Sequence, residues 1–397
     1  MKPIPSQKLS GLPPYLFVRL HALKTQAAAA GLPIIDLGQG SPDMPSPVHV
    51  VSALKNAADQ PWTHRYPQTQ GLPELRQAIA GWYQRRFNVV LDPETEVLPL
   101  VGSKEGIAHL FMALLEPGQG VLVPSPCYPV HYNGAILAGA KVHLMALSEE
   151  NGFLPDLKKI PAVCGRRSKI LLLNYPNNPT GAVLKDLRLL EDALAFSRRY
   201  GCLIAYDNAY SELVFDGYKA PSILQLPQAR SCAVEFHSLS KSYSMAGWRI
   251  GFVVGNTEAI SHLGKFKGFL DYGIPAFVQL AAVAALNGPQ DYIATACETY
   301  RKRRDALIKA LAAAGWEIPV PSATIYLWGR LPPAARKAGS LAFAERLILE
   351  HGVVVSPGVG FGPHGEGYIR ISLVAPQAQL EEAARRIGLA VAELKSC

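Results

Sequence analysis

Ser238-Leu239-Ser240-Lys241-Ser242-Tyr243-Ser244-Met245-Ala246-Gly247-Trp248-Arg249-Ile250-Gly251 sets one lysine between hydroxyls and an arginine, inside an otherwise apolar, glycine-punctuated segment. An ammonium withdrawn from water is costly and tends to lose its proton. The amine then becomes a nucleophile able to form a Schiff base with a carbonyl. Ser238, Ser240 and Arg249 suit a phosphate, because hydroxyl donors and a planar guanidinium match its oxygens. A surface lysine on a turn is the plainer reading of any single lysine. The neighbours argue instead for a ligand with both an aldehyde and a phosphate, and pyridoxal 5′-phosphate (PLP) is that cofactor.

In register, the segment resembles the lysine motif of the class I and II aminotransferases, enzymes of PLP fold type I. The resemblance implies an α/β fold, with a mostly parallel sheet in a large PLP-binding domain (46–285). A small, discontinuous α+β domain would be formed by 1–45 and 286–397. It also implies a homodimer with sites at the interface.

The whole chain fits such an enzyme. Its 397 residues can bury a large core, and 49% hydrophobic with 18% charged residues exclude a disordered or fibrous chain. The 34 glycines and 32 prolines are spread out, so no low-complexity linker is visible. A net charge of +8 raises the question of nucleic acid. The densest basic run, Arg301-Lys302-Arg303-Arg304, lies in a helical pattern and reads as a solvated helix face, with no nucleic-acid-binding signature beside it. Six scattered cysteines lack C-x-x-C spacing or a histidine cluster, which argues against a disulfide framework or a metal site. No run approaches membrane-spanning length and the N-terminus lacks an apolar signal core, so a cytoplasmic location is expected.

From Glu96 onward, short β-rich runs (97–101, 120–123, 141–146, 169–174, 203–206, 232–236 and 249–254) alternate with helical patterns (104–115, 129–138, 185–200 and 257–267). That order argues for a mostly parallel sheet covered on both faces, with ligands at the strand C-terminal ends. A long helix is expected from about 282 to 313. A strand at 323–328, a helix near 340–350, strands at 353–355 and 368–373, and a last helix from Gln377 follow. The glycines at 358, 360, 362, 365 and 367 lack G-x-G-x-x-G spacing and read as a turn between two strands.

The remaining site residues fall on the loops after strands. Asp207, in Tyr206-Asp207-Asn208-Ala209-Tyr210, ends a hydrophobic run, where a carboxylate can hold a proton on the pyridine nitrogen of PLP; a helix-capping aspartate is the alternative. Tyr210 could hydrogen-bond the ring's phenolic oxygen and lower the imine pKa. Gly102-Ser103-Lys104-Glu105-Gly106 links a strand to a helix, and the amides and hydroxyl at that helix start make a phosphate seat. It lacks P-loop spacing, which argues against ATP. Arg370, between β-branched residues in Tyr368-Ile369-Arg370-Ile371-Ser372, suits a clamp for an α-carboxylate, with a surface-strand arginine as the alternative. Gly40 would let the backbone approach substrate closely.

Other roles rest on the resemblance. Asn178, in Asn177-Asn178-Pro179-Thr180-Gly181, is by itself a turn signal; in the family the matching asparagine contacts the ring oxygen and the substrate carboxylate. Tyr128 matches an aromatic stacked on the pyridine ring. Tyr66 matches a tyrosine that reaches the phosphate of the partner's site. The implied reaction is transamination: Lys241 holds PLP and moves the proton as general base and acid, and a 2-oxoacid, 2-oxoglutarate first among them, accepts the amino group.

Leu12-Pro13-Pro14-Tyr15-Leu16-Phe17, Gly102 to Gly106, Asn151-Gly152-Phe153-Leu154-Pro155-Asp156-Leu157 and Val234-Glu235-Phe236-His237-Ser238 resemble the LL-diaminopimelate aminotransferases and their alanine-transaminase relatives. That subgroup places Tyr15 at the substrate pocket and the enzyme in lysine or other amino-acid biosynthesis. LL-2,6-Diaminopimelate leads as donor, with alanine and aspartate open. A PLP-dependent C–S β-lyase on the same scaffold is the other chemistry to weigh. A PLP-binding regulator would carry a DNA-binding module, for which there is no room before Leu12.

Overall fold

The computed structural model describes residues 5–12 and 16–396. Its strands run, in chain order, β1 (Ile35–Asp36), β2 (Val97–Leu100), β3 (Gly120–Ser125), β4 (Lys141–Ala146), β5 (Ser168–Asn174), β6 (Leu203–Asp207), β7 (Ala233–Ser238), β8 (Gly251–Gly255), β9 (Tyr326–Arg330), β10 (Val353–Val354), β11 (Ser356–Pro357) and β12 (Tyr368–Ser372). Seven of them form one sheet in the order β2-β8-β7-β6-β5-β3-β4, parallel except for β8, which runs against both neighbours.

The alternation of side chains along a strand explains why that sheet is covered twice. On β3 and β5, Val121, Val123, Ile170 and Leu172 enter one core with helices Ser103–Leu114 and Thr257–Gly268. Leu122, Leu171 and Leu173 point to the other face, against helices Pro73–Phe87, Arg188–Tyr200 and Ala276–Asn287. A further core is built on the antiparallel sheet β11-β12-β9 and helices Asp291–Ala313, Gly339–His351 and Gln377–Ser396. The segment that follows β6 also reaches it: Leu213 and Phe215 pack there, and Val214 bridges Ala323. None of the described helices is long and apolar enough to cross a membrane.

Three expectations change. The helix expected over 282–313 is two helices, Ala276–Asn287 and Asp291–Ala313. Pro289 between them has no N–H to continue the ladder. The side chain of Gln290 takes over, donating to the carbonyls of Ala285 (3.1 Å) and Gly288 (2.7 Å). The strand expected over 353–355 is shorter, β10 alone, parallel to β1, and the separate strand β11, antiparallel to β12, follows it at Ser356–Pro357. The basic run is not simply a solvated face. Arg303 chelates Asp43 at 2.7 and 2.8 Å, and Arg304, 3% exposed, bonds Asp216 and the Pro321 carbonyl. Only Arg301 and Lys302 behave as expected, pairing with Glu298 on the helix surface.

Candidate active site

The C-terminal ends of β5, β6 and β7 converge on a cavity of about 310 Å³. Gly40, Ser103, Lys104, Tyr128, Asn178, Asp207, Tyr210, Ser238, Ser240, Lys241, Arg249 and Arg370 all line it. Residues from seven separate stretches of sequence thus meet in one place, joined there by Gln39, Ser41, Ala209, Ala246 and Tyr326. Two expected residues are elsewhere. Tyr66 is 89% exposed and leans on Tyr272, with ring centroids 5.5 Å apart. Tyr15 lies outside the described residues, as do Pro13 and Pro14 of its motif.

Lys241 rides on a single helical turn, Leu239–Ser242, that starts where β7 stops. Ser238 caps that turn, its Oγ accepting the Ser240 N–H at 3.2 Å. The Lys241 ammonium donates to the Gly40 carbonyl. Loss of water around the amine, helped by the nearby cations of Arg370 and Arg249, lowers its pKa. Burial and Arg249 do the same for Lys104.

Asp207 ends β6, 5% exposed, with one carboxylate oxygen 2.9 Å from His131 Nε2. The Ala209 N–H donates to its other oxygen at 3.3 Å. Asn174, at the end of β5, donates to the Asp207 carbonyl at 2.8 Å and accepts the Asn178 N–H at 3.0 Å. One amide side chain therefore couples the two strand ends that carry Asp207 and Asn178.

Arg370, in the middle of β12, is 3% exposed. It donates to Asn178 Oδ1 and to the Gly38 carbonyl, both at 2.9 Å. Its guanidinium is sandwiched between the rings of Tyr326 and Phe361, at 4.1 and 4.6 Å from their centroids. Its Nε is buried with no hydrogen-bond partner. A buried, unneutralised guanidinium with an unused donor calls for an anion.

The other end of the cavity suits a second anion. Ser103 opens helix Ser103–Leu114, and the N-terminus of a helix is an end that suits a phosphate. Gly102, at φ +80°, packs so tightly against the Arg249 guanidinium that a Cβ there would strike it. Arg249 is itself in the left-handed region, at φ +55°, where it donates to the carbonyls of Ala246 (3.1 Å) and Val101 (3.3 Å). Hydroxyls, helix amides and a fixed guanidinium at one end, an amine and a buried carboxylate at the centre, and an orphaned cation at the other end fit PLP with an amino-acid substrate.

Sequence reasoning missed three participants. His131 follows Tyr128 by three residues on helix Pro129–Leu137, so its position one turn along was a usable signal. Phe361 sits in the glycine-rich turn between β11 and β12, whose Phe361 carbonyl also accepts the Cys127 N–H at 2.8 Å. Tyr326 opens β9 within an apolar run that marks it only as core.

A profile of the aminotransferases of class I and II matches residues 33–387. The LL-diaminopimelate aminotransferase of Desulforudis audaxviator is 48% identical over 97% of each chain. The glutamate-pyruvate aminotransferase AlaC of Escherichia coli is 44% identical, over 96% of this chain and 92% of its own. The substrate-bound structure of BacF from Bacillus subtilis superposes with a TM-score of 0.94 at 36% identity, covering 98% of both chains.

Proposed function

The chain belongs to the class I and II aminotransferases and is a PLP-dependent aminotransferase, and we propose that its amino donor is LL-2,6-diaminopimelate and its acceptor 2-oxoglutarate. The relatives carrying that activity in their names support the donor, at 48% identity over nearly the whole of both chains. AlaC keeps alanine as the second reading. When bound, PLP supplies an aldehyde carbon for the amine and a pyridinium ring that draws off the electrons left at the substrate α-carbon.

The single observation that carries the residue assignment is the convergence of Lys241, Asp207 and Arg370 on one cavity. In this reading Lys241, with its lowered pKa, is the nucleophile and then the base that carries the α-proton. Asp207 keeps the ring nitrogen protonated, and His131 holds the carboxylate in place. Tyr210 donates to the ring's phenolic oxygen, and Tyr128 stacks on the ring. Ser103, Lys104, Ser238, Ser240 and Arg249 hold the phosphate. Arg370 and Asn178 clamp the substrate carboxylate beside Gly40.

The same proposal includes a homodimer in which Tyr66 completes the partner's phosphate site, a cytoplasmic location and a place in lysine biosynthesis. The exposed Phe269 (82%), Tyr272 (56%) and Tyr66 (89%) supply an apolar face for such a dimer. The division into 46–285 and 1–45 with 286–397 is supported by the separate cores on the two main sheets.

The test is formation of glutamate from 2-oxoglutarate with LL-diaminopimelate, alanine or aspartate at equal concentration. A higher kcat/KM for alanine or aspartate would replace the donor. Repeated turnover of an S-substituted cysteine to pyruvate, ammonia and a thiol with no oxoacid present would point to the β-lyase.

A further inference from the structure

Tyr326 lines the cavity, 3% exposed, with no task in the reaction described above. Its hydroxyl accepts a hydrogen bond from Tyr210 at 3.0 Å, the two rings standing at 69°. Arg370 covers its ring at 4.1 Å. Its hydroxyl also rests on Gly40, where any Cβ would overlap it, and the Gly40 carbonyl accepts from Lys241. Tyr326 therefore touches or adjoins three groups that serve the reaction. The charged and titratable groups around the phenol pair are Arg370 from β12, Lys241 from its helical turn, Tyr128 from the start of helix Pro129–Leu137, and Asp207, Lys104 and Arg249 across the same cavity.

Each phenol has a single proton to donate and can accept at the same time. With its proton directed at Tyr326, Tyr210 has none to give to a ring oxygen in the cavity. To donate there, Tyr210 must turn its hydrogen inward, and its oxygen then accepts from Tyr326. The electrostatics favour that reversal. Burial raises the pKa of Tyr210. For Tyr326 burial acts the same way, but the positive charges of Arg370 and Lys241, which do not depend on which phenol donates, act against it, and its pKa is lowered. The stronger acid is the better donor, and a donor standing behind a donor strengthens it.

We propose that Tyr326 is a positioning residue: in the holoenzyme it donates to Tyr210, strengthens the Tyr210 hydrogen bond to the cofactor's ring oxygen, and so keeps the Lys241 nitrogen weakly basic. The inference rests on the PLP reading and on the role given there to Tyr210. The sign follows from the shared proton. The linked nitrogen of Lys241 shares its proton with the ring oxygen, and donation into that oxygen makes the proton easier to lose. Weaker donation therefore raises the pKa of the nitrogen.

The experiment is a pH titration of the visible absorption of the PLP-loaded, substrate-free enzyme, for wild type, Tyr326→Phe, Tyr210→Phe and the double variant. Tyr326→Phe keeps the ring that Arg370 covers and removes only the hydroxyl. It should raise proton affinity at the nitrogen about threefold, or about half a pH unit. Tyr210→Phe should raise it further, and the double variant should match Tyr210→Phe. Gly40→Ala, whose Cβ would overlap the Tyr326 hydroxyl and ring edge and push them aside while both phenol groups remain in the chain, should shift the midpoint in the same direction. An unchanged or lowered midpoint in Tyr326→Phe overturns the proposal, as does a Tyr326→Phe shift that persists when Tyr210 is absent. A wild-type enzyme with no visible band after PLP loading would remove the Lys241 reading itself, and that is seen before any variant is compared. A visible band that does not titrate would overturn the weakly basic nitrogen while leaving Lys241 in place.

Discussion

At the scale of single residues, the lowered pKa of Lys241 has a direct kinetic consequence. Only the neutral amine attacks a carbonyl, and a lowered pKa makes it neutral at lower pH than an ordinary lysine, which titrates at about 10.4. Capture of PLP by the apoprotein should therefore speed up as pH rises and level off below that value, measured by stopped-flow absorbance. A rate that keeps climbing through pH 10 would contradict the assignment. His131 gives a second prediction. His131→Leu removes a 2.9 Å partner that orients the buried Asp207 carboxylate. Turnover should fall on the order of tenfold or more while PLP content is retained, since a buried charged hydrogen bond is worth about 1.5–3 kcal/mol. Lys241, Asp207 and Arg370 were legible in the sequence because a charged group inside an apolar run contradicts its surroundings. Tyr326 and Phe361 were not, because an aromatic residue in an apolar run agrees with its surroundings, and only the fold reveals which cavity it borders.

At the scale of elements, β7 shows how the scaffold beneath the site is fixed. Glu235 is fully buried in its middle and accepts from Asn208 Nδ2 (2.8 Å), Ser222 Oγ (2.7 Å) and the Ile223 N–H (3.0 Å). Asn208 is the residue after Asp207, so this carboxylate anchors the end of β6 from behind. Glu235→Ala would strand these donors and should destabilise the protein by roughly 3 kcal/mol or more, read from the midpoint of denaturant unfolding. A change below about 1 kcal/mol would show that the donors find other partners. Strands β3, β5 and β8 of the large sheet were legible because side chains on both their faces are buried, leaving apolar runs. The break at Pro289 was obscured by apolar helical periodicity on both sides of it. The inward pairing of Arg303 and Arg304 depends on Asp43 and Asp216, far away in the chain, and no local pattern announces it.

At the scale of the whole molecule, the proposed dimer makes a test that a monomer could not pass. If Tyr66 serves the partner's site, Lys241→Ala and Tyr66→Phe subunits are each impaired alone. Mixing and reassembling them should restore activity, because hybrid dimers contain one site with an intact Lys241 and the partner's intact Tyr66. If Tyr66 acted within its own subunit, no hybrid would recover. The α/β class with its mostly parallel sheet was legible from the order of strand and helix patterns. The donor was not, since a few side chains around one cavity set it and the fold is shared by enzymes of different specificity.

The central claim is that Lys241 binds PLP and that LL-diaminopimelate gives up its amino group there. The absorbance spectrum of the purified protein, loaded with PLP and then treated separately with LL-diaminopimelate, alanine, glutamate and aspartate, tests it most directly. The expected result is a visible band that LL-diaminopimelate bleaches without any oxoacid present, and that Lys241→Ala lacks while still retaining PLP noncovalently. A protein that stays colourless after PLP is added, or a band indifferent to every donor, would contradict the account.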